Sequence, residues 1–375
     1  MEASAIKNLK IVIVGGGYAG ATAAIALSNL GADVHVYEQA VSTGEVGAGI
    51  GLRPPTVQAF RDLGAFDEIA AVSSPSDYME ILSPDGHLLM REEWPGIHAY
   101  EEETKTRFIH RADFIDAIIG LVEGDRFHLG HRMDTITDNG QTATVHFDNG
   151  TEVTADLVIG ADGIRSRVRN QILGHAEPVF SGLIAIRAVI DADATHGLAD
   201  DDNLHLWVNP SGSMIYFLPL RHRNQVSFDI TAPMAEALAN PELTHAEINA
   251  LVAGFDERLI KITEALEMST VNQRGGFDIE KQPQWHTDSV VLIGDAAHAM
   301  LWHQGQGANS AVLDAKALAE HIAEAATVPE ALAAYQAERK PITDVLQDIS
   351  RVVPSLDTDD VFPETQTFEK GAAVR

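Results

Sequence analysis

Lys10-Ile11-Val12-Ile13-Val14-Gly15-Gly16-Gly17-Tyr18-Ala19-Gly20 runs from an apolar, β-branched stretch into glycines at the G-x-G-x-x-G spacing, with Gly15, Gly17 and Gly20 in the glycine positions. The apolar stretch predicts a buried parallel strand over 10–14. Gly15 permits a tight turn, Gly17 lets backbone approach a pyrophosphate, and Gly20 lets the next helix pack closely on the strand. The Ala- and Leu-rich segment 19–30 predicts that helix, whose first N–H groups suit phosphate. Gly31 breaks it, and Asp33–Tyr37 alternates as a second strand. Glu38 stands at its end, 18 residues after Gly20. A carboxylate there accepts hydrogen bonds from adenosine ribose hydroxyls and disfavours a 2′-phosphate. The plainer alternative is a surface acid that caps the strand end. Strand, glycines, helix, strand and acid in this order predict a dinucleotide-binding fold.

The remaining bulk properties bound the class. At 375 residues and 45% hydrophobic composition, the chain can bury one large core or two packed ones. Its net charge of -29 repels phosphate backbones and anionic membrane surfaces, so neither nucleic acid nor membrane is an expected partner. The absence of cysteine excludes disulfides, thiolate catalysis and iron–sulfur clusters. The short, mixed start shows no signal-peptide pattern and no apolar stretch has membrane-spanning length, so a cytoplasmic protein is expected.

Three further segments carry glycines and polar groups near apolar runs. Gly44-Glu45-Val46-Gly47-Ala48-Gly49-Ile50 is too glycine-dense for a helix interior and reads as backbone passing close to a ligand. Asp156–Arg169, DLVIGADGIRSRVR, places Asp162 after an apolar strand. Val290–Asn309 contains VVLIGDAAHAM and then GQGAN, with Asp295 after a second apolar strand. Polar groups at the carboxyl ends of such strands are where open α/β sheets bind ligands, although Asp162 and Asp295 can equally be helix N-caps.

With these motifs the chain resembles the FAD-dependent aromatic-ring monooxygenases, the single-component flavin hydroxylases, over roughly residues 8–350. The salicylate and hydroxynicotinate hydroxylases are the members it looks most like. The resemblance implies FAD held by Gly15, Gly17, Gly20, Glu38, Gly49, Arg111, Asp162 and Asp295. It also implies that Gly305, Gly307, Ala308 and Asn309 pass under the flavin ring. For Arg111 a helix-start salt bridge with Asp113 is the alternative. The implied fold is α/β, a Rossmann-like FAD-binding domain with an interleaved mixed-sheet substrate domain and C-terminal helices. The FAD part is expected at 1–72, 100–175 and 284–350, the substrate part at 73–99 and 176–283, and a loose tail at 351–375. Residues 78–91 read as a hairpin, and strands are expected over 182–190, 204–208, 214–218 and 226–230. Helices are expected over 310–325 and 330–348, the second broken near Pro341.

The implied activity is hydroxylation of a small aromatic or heteroaromatic substrate, a carboxylated pyridine or phenol among them. NADH or NADPH, as co-substrate, reduces the flavin, which captures dioxygen as a C4a-hydroperoxide. Alternatives on this scaffold are oxidation or epoxidation of a non-phenolic natural product, or a non-catalytic FAD-binding protein. Trp302 stands where the family usually has a Pro, and is either a stacking wall of the substrate site or ordinary packing. A His of related enzymes matches Ser213, with a register uncertain by one residue. Tyr216 is a candidate partner for a substrate hydroxyl or a half-buried sheet tyrosine, and His205 is a fallback base. Arg53 and Arg187 are candidate clamps for an acidic group, or else a surface or FAD-facing arginine and a structural ion pair respectively. His298 and His303 lack a convincing third ligand, so no metal is expected. The chain is expected to be a monomer or homodimer.

Overall fold

The computed structural model describes residues 6–42, 47–93 and 105–352. Gly44, Glu45 and Val46 of the glycine-rich segment lie outside the described residues, as do 353–375 of the expected tail and the side chain of His303.

Lys10–Val14 is the central strand of a five-stranded parallel sheet. Its residues are almost wholly apolar because both faces are covered. Asp33–Tyr37 flanks it on one side and Leu157–Gly160 on the other, with Val290–Leu292 and Phe127–His128 at the two edges. The helix Tyr18–Asn29 follows the glycine turn and buries Ala21, Ala23, Ala24 and Leu27. The long helix Gly307–Glu324 packs beside it. Four loops leave this sheet at the carboxyl ends of its strands, beginning at Gly15, Glu38, Ala161 and Ile293. They gather the glycines of the first turn and the acidic candidates along one edge, the position at which such sheets take ligands.

A seven-stranded mixed sheet forms the second layer. Its order is Asn272–Asp278, Val179–Asp191, Gln225–Pro233, Met214–Leu220, Leu204–Val208, Tyr78–Leu82 and Leu88–Glu93. All neighbours are antiparallel except Leu204–Val208 beside Tyr78–Leu82. One face is closed by the helices His245–Leu251 and Glu257–Ala265, whose Ile248, Leu259 and Ile262 meet Ile184, Ile186, Phe217, Phe228 and Ile230. The opposite face looks toward the parallel-sheet loops. The architecture is therefore α/β, a Rossmann-like sheet with a separate mixed sheet and C-terminal helices.

Val328–Ser350 is one continuous helix that includes Pro341, so the expected break is absent. Proline removes one backbone hydrogen bond, but the buried face of Tyr335, Arg339, Thr343, Gln347 and Ser350 holds the helix to the core on both sides of it. Among the described residues no helix is long and apolar enough to cross a membrane.

Candidate active site

The glycine turn fits a pyrophosphate in its detail. Gly15 has φ +105, and a Cβ there would lie 2.4 Å from the Ala161 carbonyl oxygen. A Cβ on Gly20 would lie 1.9 Å from the Gly15 carbonyl oxygen, so the helix start can sit this close only without a side chain. At Gly17 the same construction meets no protein atom within 4 Å, which leaves room for a ligand against the backbone. The first bond of the helix runs from Ala21 N–H to the Gly17 carbonyl, so the N–H groups before it lack intrahelical partners.

A crevice continues from this turn past Glu38, Ala40, Arg111, Ile115 and Phe127. The Glu38 carboxylate accepts from Gly16 N–H at 2.7 Å and from Ala40 N–H at 2.8 Å. These bonds fix its position and leave lone pairs for ribose hydroxyls. Arg111 opens the helix Arg111–Ile119 and places its guanidinium 5.6 Å from the centre of the Tyr18 ring. Asp113 is engaged elsewhere, with His222 at 2.8 Å and Arg223 at 3.2 Å.

The two acids from the later motifs part company. Asp162 Oδ1 accepts from Ser166 Oγ at 2.5 Å, and Oδ2 accepts from Arg167 N–H at 2.7 Å and Val168 N–H at 3.2 Å. Its carboxylate ties down the start of the helix Arg167–Ile172. The carboxylate thus bonds the first N–H groups of the helix, the local role that the sequence also allowed it. Burial raises its pKa, with these hydrogen bonds opposing the rise.

Asp295 opens a short turn after Gly294, whose φ is +59. The residue is solvent-accessible, and no described residue donates a hydrogen bond to its carboxylate. Burial raises its pKa, while the His298 and Arg111 charges pull it down. A Cβ on Gly307 would lie 3.8 Å from Asp295 Oδ1, so the acid borders the start of the long helix. That helix makes its first bond from Ser310 N–H to the Gln306 carbonyl, leaving earlier N–H groups for a ligand. The Asn309 side chain staples this start to the strand Gly49–Leu52. It donates to the Gly51 and Gly305 carbonyls at 2.9 and 2.7 Å and accepts from Arg53 N–H at 2.8 Å. Gly49 N–H donates to Ser227 Oγ at 2.8 Å, which ties the same strand to the mixed sheet. An acceptor without a donor, open helix N–H groups and a glycine facing empty space together fit FAD.

Gly305, Gly307 and Ala308 line a second cavity, of about 200 Å³, walled by the mixed sheet. Leu204, Leu206, Tyr216, Leu218, Arg187, Asp229 and Thr231 face it, together with Arg53, Met79, Phe108 and Trp302. Trp302 donates from Nε1 to Thr231 Oγ1 at 3.1 Å, and the Arg187 guanidinium lies 5.4 Å from the centre of its ring. Behind the indole is Gly276, where a Cβ would lie 2.6 Å from the Trp302 ring. Arg53 is 8% exposed, so it is a cavity residue and not a surface one. Arg187 likewise faces the cavity.

His205 does not. Strand alternation turns Leu204 and Leu206 to the cavity and His205 to the other face. There it is held by Asp201 at 2.8 Å and Glu80 at 3.2 Å. Ser213 lies in the tight turn before Met214–Leu220 and is not a cavity residue. His298 is bound to Asp314 at 2.5 Å. Asp229 was not foreseen, although Ser227, Asp229 and Thr231 alternate with Phe228 and Ile230. That pattern is the mark of a strand with a polar face toward a site.

The FAD binding domain family matches residues 8–350. The 3-amino-4-hydroxybenzoate 2-monooxygenase of Streptomyces cremeus is 30% identical over 348 residues, covering 90% of this chain and 84% of that protein. The salicylate hydroxylase of Pseudomonas putida is 32% identical over 368 residues, covering 89% and 82%. The crystal structure of Klebsiella pneumoniae HpxO with FAD and uric acid shares the fold, with TM-score 0.84, 24% identity and coverage of 97% and 93%. The chain belongs to the single-component FAD-dependent aromatic and heteroaromatic monooxygenases.

Proposed function

We propose that this enzyme hydroxylates an electron-rich phenol or hydroxylated heterocycle, with NADH or NADPH as the electron donor. One oxygen atom of O₂ enters the ring and the other leaves as water, while the nicotinamide gives up two electrons. FAD, when bound, supplies the two-electron chemistry and the activation of dioxygen. The observation that carries this reading is a cavity beside the start of the Gly307–Glu324 helix that is apolar on most sides and has a polar row on one strand face.

The protein's share is binding, orientation and exclusion of water. Gly15, Gly17, Gly20, Glu38 and Arg111 would hold the ADP half, and Asp295 with the start of the Gly307–Glu324 helix would hold the flavin half. Gly49 acts through its backbone, which keeps the strand Gly49–Leu52 against the cavity. Leu204, Leu206, Leu218 and Phe108 keep bulk water from the reacting ring. Trp302 would offer a flat face to a planar substrate, and the Tyr216 hydroxyl, which donates to Met214 Sδ at 3.4 Å, would turn to orient a substrate hydroxyl. In this reading residues 1–72, 100–175 and 284–350 hold FAD, and 73–99 and 176–283 form the substrate layer.

The test is direct. The purified protein should show flavin absorbance, and a panel of phenols and hydroxypyridines should include one that stimulates NAD(P)H oxidation. Its product should gain the mass of one oxygen. Stimulated oxidation without that mass gain would replace hydroxylation by simple oxidation, and no stimulation by any ring would leave an FAD-binding protein without this activity.

A further inference from the structure

The cavity wall carries two opposite charges that the fold does not join. Arg187 registers with Asp229 across one strand pair, and Asp229 with Tyr216 across the next, so the three side chains form a row on one face. Arg187 and Asp229 form no direct ion pair. Among the described residues none accepts a hydrogen bond from the Arg187 guanidinium, whose Nε is buried. Among the described residues Asp229 receives only long contacts from Ser227 Oγ, at 3.3 and 3.4 Å, and a single hydroxyl proton must serve both oxygens. Half-buried charges with so few partners are costly unless a ligand completes them.

We propose that Arg187 and Asp229 together read a substrate edge that carries an N–H or O–H donor beside a carbonyl acceptor, as in a lactam, and discriminate against a simple ring carboxylate. The proposal rests on the aromatic-substrate reading and narrows it. A lone arginine in an apolar cavity would recruit a carboxylate. Here a carboxylate approaching Arg187 would also approach Asp229, and like charges in a poorly solvated site repel strongly. A lactam edge instead gives its carbonyl to Arg187 and its N–H to Asp229, and both protein groups are satisfied without a net charge entering. The indole of Trp302 beside the guanidinium limits where Arg187 can swing. Burial raises the Asp229 pKa to about 6, against the pull of Arg187 and Ser227, so at neutral pH it is mainly an acceptor.

The FAD-loaded enzyme is titrated with 2-quinolone and with 2-naphthoate, two bicyclic probes of similar size, and binding is read from the perturbed flavin spectrum. The quinolone should bind more tightly by roughly ten- to hundredfold, the range of one charge-assisted hydrogen bond. Asp229→Asn should narrow or reverse that ratio, since it removes the repulsion of naphthoate and weakens the acceptor for the quinolone. Arg187→Gln should weaken both probes. Equal binding, a preference for naphthoate, or an unchanged ratio in D229N overturns the proposal alone. Should D229N fail to retain flavin, the preference of the parent enzyme decides. If neither probe binds while another ring stimulates NAD(P)H oxidation, the lactam proposal falls and the hydroxylase reading stands; if no ring does, both fall.

Discussion

His298 Nε2 lies 2.5 Å from Asp314 Oδ2 in the core beneath the turn that presents Asp295. The same oxygen accepts from Gly294 N–H at 3.0 Å, and Oδ1 accepts from Arg339 Nε at 2.9 Å. Asp314 is fully buried on the Gly307–Glu324 helix, so one carboxylate ties that helix, the turn and the C-terminal helix together.

Asp314→Asn should therefore unfold more easily and hold flavin poorly. Burial pushes the Asp314 pKa upward, but His298 and Arg339 outweigh it and hold it at about 2. A depressed carboxylate contributes stability above its unfolded pKa and loses it as pH falls through the folded value. The contribution should be complete at neutral pH and fade from about pH 4 toward pH 2. Loss of one partner of a buried cluster costs about 3–5 kcal/mol. Urea unfolding of parent and variant apoprotein at pH 7 checks this, and equal midpoints would remove the role.

Asp295→Ala should weaken FAD without weakening the apoprotein. The carboxylate has no donor in the described structure, so its removal breaks no internal hydrogen bond. Loss of a charge-assisted bond to the cofactor corresponds to roughly ten- to hundredfold in affinity. Flavin titration paired with apoprotein melting separates the two effects. A large fall in melting temperature would show a structural acid instead.

Glu38→Ala should weaken FAD and also loosen the glycine turn, because Gly16 and Ala40 N–H groups lose their acceptor. The stability cost should be about 1 kcal/mol. Glu38→Gln keeps one acceptor oxygen and should recover part of both losses. FAD dissociation that is the same in all three proteins would remove the ribose role.

Trp302→Leu should raise KM and send more reducing equivalents to hydrogen peroxide, since a misplaced ring cannot meet activated oxygen. FAD affinity should change little. The ratio of product to NAD(P)H consumed is the measurement, and an unchanged ratio with unchanged KM would make the indole simple packing.

Asp229→Asn should stabilise the apoprotein at pH 7.5 but not at pH 4. Burial raises this carboxyl from 3.8 to about 6, so between those values the folded state binds more protons than the unfolded one. Stability then falls as pH rises through that window and stays lowered above it. The gain at pH 7.5 should be about 3 kcal/mol. Melting curves at the two pH values check the sign.

What the sequence disclosed follows from range. Lys10–Val14, Gly15, Gly20 and Asp33–Tyr37 act on neighbours a few residues away, so spacing alone predicted strand, turn and helix. Asp295 was legible for the same reason, as a polar group after an apolar strand. Asp162 met the same criterion, and spacing alone does not disclose that its carboxylate also bonds the start of the helix that follows it. The cavity depends on which face of each mixed-sheet strand turns inward. His205 and Leu206 differ by one residue and stand on opposite faces, and a single-residue register doubt also misplaced Ser213. Arg187 meets Asp229 only through strand pairing across 42 residues, and the Asp314 cluster only through helix packing, which local patterns do not encode.

Gly276 does not line the cavity, yet it sets how far back the Trp302 indole can rest. A methyl group there would drive the ring forward into the space a substrate needs. Selectivity can therefore drift, or be engineered, at a position that no bound molecule touches, and variants chosen only from the visible lining would miss the residue that governs its width.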